Sequence, residues 1–84
     1  MYSLNSHIPK IDLHGNPRDI ARVLVNDFIY DNYRIKEKEV VIIHGKGERI
    51  LKEEVHKTLK QNRYVESYKI NNFNVGETIV KLKV

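Results

Sequence analysis

The run Val40-Val41-Ile42-Ile43 restricts the architecture of this chain more than any other stretch, because four consecutive aliphatic residues sit between two segments with helical spacing. A run that short reads as a strand buried on both sides, and such a strand belongs at the centre of a sheet. Upstream, Lys10-Ile11-Asp12-Leu13-His14 alternates polar and apolar residues, the period of a strand with Ile11 and Leu13 on one face. Gly15, Asn16 and Pro17 break it, with Asn16 a helix N-cap and Pro17 the first helical position. Ile20, Ala21, Leu24, Val25, Phe28 and Ile29 then recur at helical spacing, and this helix is expected to end near Asn32. A charged connection, residues 33–38, leads into the central run.

Behind that run stand His44, Gly45, Lys46 and Gly47, followed by a second helical pattern through Ile50, Leu51, Val55, Thr58 and Leu59. His56 falls off that apolar stripe and reads as a solvent-facing residue. Residues 65–70 form a third strand, residues 71–76 a turn, and residues 78–84 a last alternating strand. Residues 1–9 show no periodicity and read as an N-terminal arm, so the domain proper covers residues 10–84. The order βαβαββ implies parallel pairing of the first two strands and a closing antiparallel hairpin, a four-stranded mixed sheet carrying two helices in an α/β fold.

A length of 84 residues fits one small domain with one core. No segment approaches the roughly 18 apolar residues of a membrane span, and the first residues lack the pattern of a secretory signal, so no membrane partner is expected and the chain reads as cytoplasmic. With no cysteine, it has neither disulfides nor a thiolate site. The 15 Lys and Arg against 11 Asp and Glu give a net charge of +4, a mild bias toward nucleic acid.

The chemistry collects at one place. His14 ends the first strand and His44 the second, so both imidazoles are expected at the carboxyl edge of the sheet, where α/β folds hold ligands. Asp12, two residues before His14, shares its face and orients or charges the ring. The amides of Gly45, Lys46 and Gly47 open toward a helix N-terminus suited to phosphate, and Lys46 adds a full charge. Each feature has an ordinary reading: GKG lacks the spacing of a nucleotide-binding loop and is commonly a tight turn, the Asp12–His14 pair can simply fix a turn, and His44 can cap a helix. The tyrosines Tyr2, Tyr30, Tyr33, Tyr64 and Tyr68 fit rim packing better than base stacking. The case for a site is the convergence of several groups from independent strands.

The segment IDLHG at residues 11–15, HGKG at residues 44–47, the helix ILKEEVHKTLK and the closing TIVKLKV together resemble the Smr (small MutS-related) domain family, a stand-alone short member of it. The resemblance implies a two-layer α/β sandwich similar to the carboxyl-terminal domain of bacterial translation initiation factor three, with nucleic acid at the surface formed by the two motifs. It implies that Asp12 and His14 are tied to cleavage and that His44, Gly45, Lys46 and Gly47 contact the backbone. Ile11 replaces the usual Leu, Arg49 stands where many members carry another glycine and offers a further phosphate contact, and only Gly76 remains of a Gly-rich stretch.

The resulting expectation is a nucleic-acid-binding endonuclease that cleaves RNA by acid–base chemistry at Asp12, His14 and His44, with no cofactor and with Gly45, Lys46, Gly47 and Arg49 as binding residues. DNA nicking with Mg²⁺ or Mn²⁺ and non-catalytic binding of branched DNA or ribosomal RNA are the alternatives, and a protein adaptor is a third. Asp12 with His14 makes a poor magnesium site because that ion prefers several oxygens. Messenger RNA and ribosomal RNA on the ribosome both fit the RNA reading, DNA junctions fit its alternatives, and no pattern speaks for an oligomeric state.

Overall fold

A computed structural model describes residues 8–84; Tyr2 and most of the expected arm lie outside the described residues. The elements run β1 (Lys10–Asp12), α1 (Arg18–Arg34), β2 (Glu39–Ile43), α2 (Arg49–Gln61), β3 (Val65–Asn71) and β4 (Asn74–Leu82). The sheet order is β1-β2-β4-β3, so the aliphatic run is an inner strand. β1 pairs with β2 in parallel, and β4 is antiparallel to both β2 and β3. This is the expected four-stranded mixed sheet with two helices.

The helices bury one face of the sheet. Val40 and Ile42 of β2 and Val80 and Leu82 of β4 point into a core closed by Ala21, Val25 and Ile29 of α1 and Leu51, Val55 and Leu59 of α2. Each of the larger aliphatic side chains contributes roughly 1.5–3 kcal/mol by leaving water, which is the main force holding so small a domain together. Leu13 joins this core although it lies just beyond β1, and its amide donates to the Ile43 carbonyl at 2.7 Å.

Three boundaries differ from the sequence reading. Asn16 does not cap α1, because its side chain is used on the turn leaving β1, donating from Nδ2 to the Leu13 carbonyl at 3.1 Å. The cap position is Pro17, and the helix runs two residues beyond Asn32. β4 starts at Asn74 rather than Thr78, since Asn71 Nδ2 donates to Glu77 at 3.1 Å and the Gly76 amide donates to Asn74 Oδ1 at 3.1 Å, extending the hairpin toward its tip. Among the described residues no helix is long and apolar enough to cross a membrane.

Candidate functional site

Register decides which side chains meet at the carboxyl edge. Asp12 lies opposite Ile43, so continuing the ladder sets Leu13 beside His44 and His14 beside Gly45. Ile11 and Leu13 take the helix side, which turns Asp12 and His14 to the open side, as a period of two requires. There Asp12 Oδ1 accepts from both the backbone amide of His14, at 3.1 Å, and its ring Nδ1–H, at 2.6 Å. Both side chains are exposed, His14 at 69%. The hydrogen bond to the carboxylate, then its charge, raises the His14 pKa above the ordinary value, with Glu48 adding a smaller pull. The same bond lowers that of Asp12. With the proton held on Nδ1, the neutral ring presents the Nε2 lone pair to solvent.

The glycine turn sits against this pair. Gly45 has φ +98, and a Cβ there would stand 2.9 Å from Glu48 Cγ and 3.5 Å from His14 Cβ. Its amide is not available to a ligand, because the Gly76 carbonyl accepts from both His44 N, at 2.9 Å, and Gly45 N, at 3.0 Å. Among the described residues the amides of Lys46, Gly47 and Glu48 have no protein acceptor. The open part of the turn is therefore one residue later than the sequence suggested. Gly76 supports it from below: a Cβ at that position would meet Lys46 N at 3.0 Å and the Gly45 carbonyl carbon at 3.2 Å.

His44 corrects the sequence reading. It continues the Val40–Ile42 face, so its ring turns into the helix layer and is 0% exposed. The two imidazoles do not meet at one open rim. His44 Nδ1 lies 3.2 Å from the Gly45 carbonyl, which can only accept, so Nδ1 carries the proton and Nε2 accepts from the Thr78 hydroxyl at 2.9 Å. That hydroxyl has one proton to give, and its oxygen therefore accepts from His56 Nε2–H at 2.7 Å. His56, expected to face solvent, is half-buried, with its ring 5.1 Å from that of Tyr68. Burial pushes the pKa of both rings below the ordinary histidine value; the Gly45 carbonyl and Glu77 oppose this at His44, while Lys52 adds to it at both.

Lys46 is exposed beside the open amides, and Arg49 begins α2 with its guanidinium 3.5 Å from Glu53. A cleft of about 720 Å³ separates the starts of α1 and α2, lined by Asn16, Pro17, Arg18, Gly47, Glu48 and Arg49 among others. It adjoins the glycine turn but does not include His14. For magnesium or manganese the donor set is thin: one carboxylate and one imidazole meet at this rim, and among the described residues no three His, Cys, Asp or Glu side chains gather to hold a metal ion, whereas magnesium prefers several oxygen ligands. Sequence reasoning missed Glu48, Thr78 and His56 as neighbours of the motifs. The period-two face shared by Val40, Ile42 and His44 was a usable signal for the buried ring. Nothing local announced Thr78.

Comparison with known proteins supplies a family. Residues 11–83 match the family described as Smr domain. A protein of Lachnoclostridium phytofermentans named endonuclease MutS2 is 38% identical over 89% of this chain, and one of the same name from Clostridium kluyveri is 36% identical over 96%. The chain covers 10% and 11% of these two relatives, about a tenth of their length. The crystal structure of the Smr domain of Thermus thermophilus MutS2 superposes with a TM-score of 0.87 at 22% identity, over 92% of this chain and all of that one. That of YdaL, a stand-alone small MutS-related protein from Escherichia coli, gives 0.85 at 25% identity, over 89% of this chain and 64% of that one.

Proposed function

The chain belongs to the Smr domain family, and from that premise we propose that it binds nucleic acid at the rim formed by Asp12, His14 and residues 45–47 and cleaves RNA there. The observation that carries this reading is the Asp12–His14 pair: an exposed imidazole whose Nδ1 proton is fixed by a carboxylate at 2.6 Å and whose Nε2 is open to solvent. The endonuclease name of the relatives supports it.

RNA carries its own nucleophile. Neutral His14 takes the 2′-hydroxyl proton on Nε2, the 2′-oxygen attacks the adjacent phosphorus, and the 5′-oxygen of the next nucleotide leaves with a proton from water. The products are a 2′,3′-cyclic phosphate and a 5′-hydroxyl. Lys46 and the open amides of Lys46, Gly47 and Glu48 meet the charge that builds on the phosphorus oxygens. Buried His44 does not touch substrate in this scheme; its bond to the Gly45 carbonyl and its amide on Gly76 position the turn. Arg49 adds a phosphate contact once it leaves Glu53.

One observation favours a second reading, a module that binds without cutting. Among the described residues a single imidazole, His14, reaches the rim, and none of the other described imidazoles is placed to protonate the leaving oxygen. Labelled RNA and branched DNA incubated with wild type and His14→Ala, with and without EDTA, separate the two. The acid–base reading expects RNA cleavage that survives EDTA and falls about 10²- to 10⁴-fold in the variant. RNA retained but uncut by wild type supports the binding module, and activity lost to EDTA and restored by a divalent metal overturns the acid–base scheme.

A further inference from the structure

The β3–β4 hairpin ends in Asn71-Asn72-Phe73-Asn74, and the phenyl ring of Phe73 is 99% exposed at its tip. A ring wholly in water adds nothing to the core. Yet the tip that carries it is built with care: Phe73 N donates to Asn71 Oδ1 at 2.9 Å, Asn71 Nδ2 holds Glu77 at 3.1 Å, and Asn74 Oδ1 accepts from the Gly76 amide at 3.1 Å. The hairpin is also fastened to the candidate site, since the Gly76 carbonyl takes the amides of His44 and Gly45.

Topology puts the tip beside that site. β4 runs antiparallel to β2 with Glu77 opposite Ile43, so the start of β4 lies at the edge where β1 and β2 end. β4 is two strands from β1. With a strand spacing of about 4.8 Å and a rise of about 3.3 Å per residue, Phe73 stands about 12–18 Å from the Asp12–His14 pair. One single strand spans that distance, since known single-strand sites cover about 4–16 nucleotides per domain. Among the described residues the other aromatic rings are engaged elsewhere. Tyr33 and Tyr30 pack on Tyr64, at 4.3 and 5.7 Å between centroids, near the start of β3 at the far end of the sheet, and Tyr68 packs on His56.

We propose that Phe73 is a stacking platform for an unpaired nucleobase of the strand whose phosphate lies at the glycine turn; this rests on the nucleic-acid reading above and narrows its ligand to single-stranded segments. The ligand chemistry follows from size and surroundings. The apolar tip consists of Phe73 and the partly exposed Val75, far short of the ~800 Å² per partner that a stable protein contact covers. It is ringed by Asn71, Asn72 and Asn74, whose uncharged amides suit base edges, and residues 70–80 of the hairpin carry none of the Lys and Arg that a membrane surface requires. A single flat ring matches a single base, because every base offers a π-face.

The test measures affinity by fluorescence anisotropy for a short labelled 2′-O-methyl RNA, which cannot be cut, and for the same sequence as a duplex. Phe73→Ala is expected to weaken single-strand binding about 5- to 150-fold, the range that stacking of one base provides, and Phe73→Trp to restore it. Duplex affinity, the slope of affinity against salt and the thermal midpoint stay unchanged, because the ring neutralises no phosphate and packs on nothing. Equal single-strand affinity for Phe73→Ala and wild type overturns this inference and leaves the nucleic-acid reading standing. A parallel loss on duplex, or a wild-type dimer that Phe73→Ala dissociates in sedimentation, overturns it as well. If wild type binds neither probe, the nucleic-acid reading fails and this inference goes with it.

Discussion

Replacing Gly47 by alanine separates what the fold requires from what a ligand requires. A Cβ at Gly47 would have no neighbour within 4 Å, and Gly47 is absent from the left-handed region that Gly15 and Gly45 occupy. With no strain to oppose it, the substitution restricts the unfolded chain and stabilises the fold by about 0.4–1 kcal/mol. In a domain of this size that raises the thermal midpoint by about 2–8 °C. The new methyl nonetheless sits on the residue between Lys46 and Glu48, within the run of open amides that a phosphate would approach. Losing one hydrogen bond to a charged group costs about 1.5–3 kcal/mol, or roughly 10- to 150-fold in affinity. Gly76→Ala is the contrasting control: its Cβ would meet the backbone at 3.0 and 3.2 Å, and such overpacking destabilises by about 1–3 kcal/mol. Thermal unfolding followed by circular dichroism and anisotropy with labelled RNA read the two effects separately. A Gly47→Ala protein that is more stable yet binds RNA as wild type does would refute the idea that phosphate reaches this turn, and one that melts below wild type would refute the packing argument.

Two further outcomes concern the buried histidines. Thr78→Val removes the hydroxyl that joins His44 to His56; at about 1–3 kcal/mol per stranded polar group, with half-buried His56 at the low end, the loss is about 2–4 kcal/mol, visible as a lower urea midpoint at unchanged slope. Both rings have folded pKa values depressed below the ordinary ~6.5, so below that pH the unfolded chain binds more protons. Their contribution is complete above pH ~6.5 and is lost as pH falls through the folded values, which predicts a lower urea midpoint at pH 5 than at pH 7.5 and a weaker dependence in His56→Gln. His14 runs the other way, its raised pKa favouring the fold below the unfolded value and fading as pH rises through the folded one.

Local pattern and the pairing of consecutive strands were legible because they depend on near neighbours in sequence, whereas the β2–β4 pairing that completes the sheet order was not. Alternation in Lys10–His14 and the aliphatic run at 40–43 carry the parallel pair, and the short final connection carries the hairpin. Asp12 and His14 were legible as a pair for the same reason, being two residues apart on one strand. For His44 the position at a strand end misleads and parity decides: it follows Ile42 by two and shares that buried face. His56 was misread because it owes its burial to Thr78 and Tyr68, 22 and 12 residues away, and no helical pattern contains such partners. Gly76 looked like the remnant of a loop motif, whereas its lack of a side chain lets the glycine turn lie on it. Phe73 carries no signal in the sequence, since an aromatic residue in a turn has meaning only once the turn is known to end beside the site.

The most direct measurement of the central claim follows the His14 ring by NMR across pH beside the pH–rate profile of RNA cleavage, in wild type and Asp12→Asn. If His14 bound to Asp12 is the base, cleavage rises with the same inflection as the ring, above the ordinary histidine value, and both inflections move down together when the carboxylate is removed. A ring whose titration moves in Asp12→Asn while the cleavage profile stays in place would contradict the account.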